Sequence, residues 1–406
     1  MFAAGELLRR VFGVATEYTR KLAHVGGGLV VLSAPWTVTS HWTLLALCAA
    51  FFGMLLLGRV TGALGSVHGV ERSTGGAWLY PVAVYVTWLL AEGDTALYCV
   101  SMGVMVFADA SAAIVGRHVG DTPYRVMDGI RSAEGSLSFF AVAFAVCFVG
   151  LGVAGGGSWA EIALIALVTA VMTACTEAIS VRGVDNLLVP WAALVVIRDM
   201  RALGLAQMDR WLVGLLVTLA CVAAVRRATR LRPAGGIAAF LFGALAWGLG
   251  GPVWFVPLAV TGLVLLFVHA GFGVDADLEQ VFPAVVGSVL TVAVLAHVPG
   301  HGMFVPFVGT LSANAAIGLY LATQAEPSQG VLLRARSAGA AGLAAAAPAF
   351  AAWTVEPEVP AALTTAAGLV GLLLFAGMQG ARWPGRRLAA SGAIGAGMWL
   401  VSRGWS

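Results

Sequence analysis

The chain has 406 residues, of which 60% are hydrophobic and 11% charged, and its mean hydropathy is +0.91. This composition excludes a soluble globular domain and is typical of a multi-pass membrane protein. The net charge of +3 comes without a basic stripe interleaved with aromatic residues, so we expect no nucleic-acid partner. The sequence indicates no protein partner either.

Apolar segments of about 15–22 residues, long enough or nearly long enough to cross a bilayer, recur along the whole chain. We count about fifteen, at 25–40, 42–58, 77–91, 95–116, 136–154, 159–178, 187–200, 211–225, 236–250, 252–270, 281–298, 303–322, 337–353, 361–378 and 387–402. The sequence therefore predicts an all-α, polytopic integral membrane protein with roughly fifteen transmembrane helices.

The basic residues predict the orientation, because short loops rich in Lys and Arg stay in the cytoplasm. With a cytoplasmic N-terminus, most of the 23 basic residues fall on the cytoplasmic side. The segment 187–200 is the weakest predicted span, since Arg198 and Asp199 lie at its end. If it did not cross, the arginine-rich loop 226–232 would fall outside. We therefore expect it to cross, in the cell membrane if the source is a prokaryote.

The distribution of polar residues divides the chain into two halves. Residues 1–200 carry charged groups at the cytoplasmic ends of several predicted spans, whereas 236–406 is rich in Ala, Gly and Leu with few polar groups. A connecting span and a basic cytoplasmic linker, 201–235, lie between them. We expect the chemistry in the first half and a second, non-catalytic membrane domain in the other.

Two polar segments come early in the chain. The first, TRKLAHVGGG, contains Arg20, Lys21 and His24. Lys21 is the only lysine among the 23 lysine and arginine residues, which indicates that a compact ammonium group is needed at this position. His24, three residues later, would lie on the same face of a helix as Lys21. The second segment, HGVERSTGGAWLYP, contributes Arg72. A positive anchor before a span and an ordinary polar loop explain the two segments equally well.

The third segment begins at Asp109, which ends an otherwise uncharged apolar run. An ionisable residue at membrane depth costs roughly 2.5–3.5 kcal/mol, so such a group points to chemistry, or to a helix cap or an ion pair with an arginine. One helix end and one loop then hold Gly116, Arg117, Gly120, Arg125, Arg131, Ser132, Glu134, Gly135 and Ser136. Glycines, arginines and the N-terminus of the next helix together favour binding of a polyphosphate.

The fourth segment, TEAISVRGVDNLLVP, contains Glu177, Asp185 and Asn186. Carboxylate and amide oxygens of this kind hold Mg²⁺ on a triphosphate, although Asp185 is also suited to cap a helix. The predicted topology brings all four segments to one membrane face. Their residue types indicate phosphoryl or nucleotidyl transfer to a lipid, and spacing alone does not separate these two reactions.

Four successive stretches, TRKLAHVGGG, ADASAAIVGRHVG, RSAEGSLSFF and VRGVDNLLVP, resemble the ordered motifs of the CTP-dependent polyprenol kinase family, which includes dolichol, phytol and fungal diacylglycerol kinases. The resemblance covers about residues 16–195. It implies transfer of the γ-phosphoryl group of CTP to the primary hydroxyl of a membrane lipid alcohol at the cytoplasmic surface. An isoprenoid alcohol such as phytol or a polyprenol is favoured, and diacylglycerol is the other option.

The resemblance and the residue types of the four polar segments together predict roles for their polar residues. The catalytic residues would be Asp109, Glu134, Lys21 and His24. The nucleotide would be bound by Gly116, Arg117, Gly120, Arg131, Ser132, Gly135, Ser136, Arg20 and Arg72. The Mg²⁺ ligands would be Asp109, Glu177, Asp185 and Asn186.

We hypothesise that Asp109 and Asp185 share the metal ion, and that Glu134 or His24 takes the alcohol proton. Lys21, Arg117 and Arg131 would neutralise the triphosphate. Arg131 departs from the family pattern, which usually has lysine before Ser-x-Glu-Gly-Ser.

Two other functions are compatible with parts of the sequence. Phosphatidate cytidylyltransferases share a similar Asp, Gly, Gly and Glu-Gly pattern, but their C-terminal basic, His-Gly-Gly and Asp-Arg signature is absent from this sequence. A non-catalytic scaffold or lipid transporter would also have many spans. The second half faintly resembles the membrane family of the plant phytyl-phosphate kinase, and that family's acidic motif is missing from 303–322.

Overall fold

A computed structural model describes residues 16–61, 76–126, 129–155, 157–180, 183–228, 231 and 233–271, together with Val308. These residues are mostly helical. The chain divides into two compact units, Met1–Met208 and Asp209–Ser406.

Helices account for nearly all of the described secondary structure. In the first unit they are α1 (Thr16–Leu32), α2 (Ala34–Thr37), α3 (His41–Thr61), α4 (Gly76–Ala91), α5 (Thr95–Gly103), α6 (Asp109–Val119), α7 (Ala133–Val153), α8 (Trp159–Ile179) and α9 (Asp185–Ala202). In the second unit they are α10 (Asp209–Ala228) and α11 (Pro233–Gly271), which pack against each other.

Helices occupy the positions of the predicted apolar segments up to residue 270. The predicted segments 236–250 and 252–270 both lie in α11, where Gly251 takes a left-handed φ of 65° and breaks the helical geometry. The predicted segments from 281 onward lie outside the described residues, apart from Val308.

Four stretches of the described residues are long and apolar enough to cross a membrane. They are Thr95–Val119, Ala133–Val153, Trp159–Ile179 and Pro233–Leu263. His41–Leu57 and Ala77–Ala91 are shorter apolar helices. These helices identify the chain as a membrane protein. The predicted total of roughly fifteen spans and the cytoplasmic N-terminus stay predictions.

The core of the first unit lies around α8 and α9. Helix α9 packs against α4, α5 and α8, and α8 packs against α7. Helix α7 keeps much of its apolar surface exposed, with Leu137 67% and Val149 60% exposed. A helix that is hydrophobic all round and exposed on one side is expected to face lipid there.

Charged contacts fix α9 at the end opposite to Asp185. Arg201 forms an ion pair with Asp94 at 2.7 Å, and Asp94 also caps α5 by accepting from the amide of Leu97. Arg198 donates to the carbonyl of Leu90. These contacts tie α9 to the turn between α4 and α5, and so restrain the helix that begins at Asp185.

Two local features near Asp109 have no signal in the hydropathy pattern. A π-helical turn, Val104–Ala108, joins α5 to α6, so that Thr95–Val119 is continuous and Asp109 directly follows the turn. After α6 the chain forms an antiparallel hairpin of β1 (Pro123–Val126) and β2 (Gly129–Ser132). The sequence predicts only a loop between α6 and α7 of a helical protein, and the structure adds that this loop contains a two-stranded hairpin.

Candidate active site

Asp109, at the start of α6, is held by two residues of α1. Lys21 Nζ donates to Asp109 Oδ2 at 2.7 Å, and the two side chains are only 10% and 18% exposed. His24 Nε2 lies 3.5 Å from the same oxygen. The i, i+3 spacing therefore places both predicted partners on the face of α1 that meets Asp109.

The N-terminus of α7 lies against α6 because a glycine allows the close approach. A Cβ atom on Gly135 would lie 3.1 Å from the carbonyl oxygen of Ala112 and 3.2 Å from the Cα of Gly116. Ser132 caps α7, and its Oγ accepts from the amide of Gly135 at 3.1 Å. Gly120 also abuts Ser132, since a Cβ atom there would lie 2.8 Å from the Ser132 hydroxyl.

Two predicted site residues hold the hairpin region to α7. Glu134 Oε2 accepts from the amide of Thr122 at 3.2 Å. Ser136 shares a hydrogen bond with the Tyr124 hydroxyl at 2.7 Å. Of the two candidate bases, His24 lies beside Asp109, and Glu134 bonds to the backbone at Thr122.

Arg131 lies in β2, opposite Tyr124, and joins the hairpin to the end of α8. Its guanidinium forms an ion pair with Glu177 and donates to the carbonyl oxygen of Ser180 at 3.0 Å. Glu177 is buried, with 5% of the residue exposed. The predicted phosphate-binding arginine and the predicted metal ligand are thus bonded to each other, which points to a positioning role for both.

Asp185, the first residue of α9, lies in the electrostatic field of the other site residues. Burial raises the pKa of its carboxyl group, and the Asp109 carboxylate raises that pKa further, while Arg131 and Lys21 act in the opposite direction. Its Oδ1 atom is buried and has no hydrogen-bond partner in the part of the chain that the structure describes. The cluster therefore contains a buried oxygen that is available to a ligand.

The donor set fits a metal ion that is shared with a substrate. Within the described ranges, no group of three or more His, Cys, Asp or Glu side chains has metal-binding geometry. Mg²⁺ bound with a nucleotide, however, usually takes one or two carboxylates and completes its shell with phosphates and water. Asp109 and Asp185 carry carboxylate oxygens of this chemical type. Glu177 is paired with Arg131 instead, and Asn186 follows Asp185 in the first turn of α9, where its backbone amide donates to the Gly183 carbonyl at 3.3 Å.

The remaining predicted residues lie at the edge of this cluster or outside it. Arg117 is exposed in the last turn of α6. Arg20 lies in α1, but its side chain is not described, and Arg72 lies outside the described residues. Tyr80 carried no sequence signal because it sits within an apolar helix, yet its ring contacts His24.

Comparison with known proteins gives one informative match. The phytol kinase of Synechocystis sp. is 30% identical over 193 residues, which are 47% of this chain and 82% of the relative. No protein-family model matches the chain, and no solved structure matches it.

Proposed function

The chain belongs to the polyprenol kinase family that includes phytol kinase, and we propose that it transfers the γ-phosphoryl group of CTP to the hydroxyl of a lipid alcohol. An isoprenoid alcohol, such as phytol or a polyprenol, is the favoured acceptor, and diacylglycerol is the alternative. The charged end of the helices would face the cytoplasm, where a nucleotide is available. Residues 236–406 would form a non-catalytic membrane domain.

The observation that carries the proposal is the cluster of Lys21, His24, Asp109 and Asp185, together with the N-terminus of α7, which packs against Ala112 and Gly116 of the helix that begins at Asp109. Phosphoryl transfer needs alignment of the reacting groups and neutralisation of charge more than covalent help from the protein. Carboxylates for a metal ion, a lysine for phosphate oxygens and a helix N-terminus for an anion supply these needs.

Each group has a proposed part in the reaction. Asp109 and Asp185 would hold Mg²⁺, which when bound would offset negative charge on the phosphate oxygens. Lys21 would bind the triphosphate together with the exposed Arg117. His24 would accept the proton of the alcohol, since its imidazole lies beside Asp109.

The test is a transfer assay with the purified full-length protein in lipid vesicles. The protein is incubated with a panel of lipid alcohols and with CTP or ATP labelled at the γ position, and lipid-bound label is measured. Label from γ-labelled CTP is the expected result. Label only from ATP would overturn the assignment of the donor, and lipid label from α-labelled CTP would indicate nucleotidyl transfer instead.

A matched pair of variants tests the site within the same assay. Asp109→Asn should reduce transfer by about 100-fold or more, the usual effect of removing a charge that acts on the transition state. Asp121→Asn removes an exposed carboxylate in the nearby turn between α6 and β1 and should leave transfer within about 2-fold. Equal activity of both variants would refute the proposed site.

A further inference from the structure

Tyr80 borders the proposed active site from the apolar helix α4. Its ring packs edge-on against the His24 imidazole, with ring centroids 5.6 Å apart and an interplanar angle of 73°. His24 in turn lies 3.5 Å from Asp109 Oδ2. Helix α4 carries no charged residue, so this tyrosine lies where an apolar helix meets the charged cluster.

The hydroxyl of Tyr80 is buried although the residue as a whole is half-buried. A tyrosine that anchors a helix at the membrane surface has an exposed hydroxyl, because its hydroxyl reaches water while its ring remains in lipid. The orientation of Tyr80 is therefore not explained by interfacial anchoring.

The same hydroxyl has no hydrogen-bond partner among the described residues. Three other tyrosines of the first unit do have one. The Tyr98 hydroxyl donates to the Val31 carbonyl at 3.2 Å, the Tyr124 hydroxyl pairs with Ser136 at 2.7 Å, and the Tyr85 hydroxyl lies 3.4 Å from His41 Nδ1. Because a buried hydroxyl without a partner costs free energy, one that is retained beside an active site points to a ligand.

We infer that the Tyr80 hydroxyl is the hydrogen-bonding group that receives the hydroxyl of the lipid alcohol beside His24. This inference rests on the proposed function for the identity of the ligand. A phenol can donate to the alcohol oxygen, which leaves the alcohol's own O–H for the imidazole of His24. The apolar surface of α4 then suits the hydrocarbon chain that follows the hydroxyl group.

The test compares binding of an alcohol with binding of the matching hydrocarbon that lacks the hydroxyl group. Radiolabelled phytol is bound to the purified protein in detergent micelles without nucleotide, and unlabelled phytol or the hydrocarbon competes for it. The wild-type protein should prefer the alcohol, because Tyr80 and His24 would both hydrogen-bond its hydroxyl group. Tyr80→Phe removes only the phenolic oxygen and leaves His24 in place, so it should reduce that preference by roughly 5- to 10-fold, the effect of one hydrogen bond.

Tyr85→Phe is the matched control on the same helix and should keep the wild-type preference. A Tyr80→Phe protein that keeps the full wild-type preference would overturn the inference, and so would a wild-type protein without any preference. A reduced preference in Tyr80→Phe supports the inference even if the wild-type protein phosphorylates no alcohol in the transfer assay. A reduced preference in Tyr80→Phe, combined with no phosphorylation by the wild-type protein, would reject the proposed function and leave Tyr80 as a hydroxyl-binding residue.

Discussion

The ion pair between Arg131 and Glu177 gives a prediction that separates a positioning role from nucleotide binding. The two side chains are 24% and 6% exposed, and Arg131 also donates to the Ser180 carbonyl. Breaking a buried pair by removing one partner costs about 3–5 kcal/mol, because the other charge is left without compensation. Since Arg131 is partly exposed, we take the lower end, about 3 kcal/mol, for Arg131→Ala.

That free energy corresponds to a measurable loss of thermal stability. In a domain of about 200 residues, 1 kcal/mol shifts the midpoint by roughly 2–4 °C, so Arg131→Ala should lower it by about 6–12 °C. Arg131→Lys keeps the charge but loses the planar fork that reaches two acceptors, and we expect a loss of about 2–4 °C. Arg125→Ala removes an exposed arginine of the same hairpin and should change the midpoint by less than about 2 °C.

The assay is thermal unfolding of each purified variant in the same detergent, followed by tryptophan fluorescence, with nucleotide affinity measured in parallel. The positioning role requires that Arg131→Ala unfolds well below Arg125→Ala, and that Arg131→Lys retains most of the nucleotide affinity. The reasoning is refuted if Arg131→Ala is as stable as Arg125→Ala while its nucleotide affinity falls about 10-fold, because Arg131 would then contact the triphosphate directly.

Two further substitutions test the rest of the site. Asp185→Asn should abolish transfer but raise the midpoint of thermal unfolding of the metal-free protein at pH 8. The pKa of Asp185 is raised in the folded protein, which means that folding disfavours the ionised carboxylate. The gain in the unfolding midpoint should therefore appear above about pH 4, where the unfolded carboxyl group ionises, and be absent below it. An unchanged or lower midpoint at pH 8 would contradict this. Gly135→Ala should destabilise the protein by about 1–3 kcal/mol and reduce transfer, because the new Cβ atom meets backbone atoms of α6. Gly53→Ala is its control, since a Cβ atom there meets nothing within 4 Å.

The sequence singles out several residues that the structure brings together, because membrane burial makes polar residues conspicuous. Lys21, Asp109 and Asp185 each interrupt or border an apolar segment, and the structure brings all three into one electrostatic cluster. The helices were also predictable from the sequence, because long apolar segments in a bilayer form helices. The π turn before Asp109 and the hairpin could not be predicted, because neither alters the hydropathy of the sequence or its periodicity. Tyr80 was missed because a tyrosine in an apolar helix is ordinary.

The carboxylate partners of Lys21 and Arg131 have a physical cause that applies to other membrane enzymes. Both residues are predicted from the sequence to neutralise the triphosphate, and in the structure each has a carboxylate partner far along the chain, 88 residues away for Lys21. Charges at membrane depth are expected to pair within the protein, because an unpaired charge there is costly in the absence of substrate. The groups most informative about a ligand are therefore the buried polar atoms that this pairing does not satisfy. Among the described residues around Asp109, these include Asp185 Oδ1, which would be available to the proposed metal ion, and the Tyr80 hydroxyl, which would be available to the proposed alcohol.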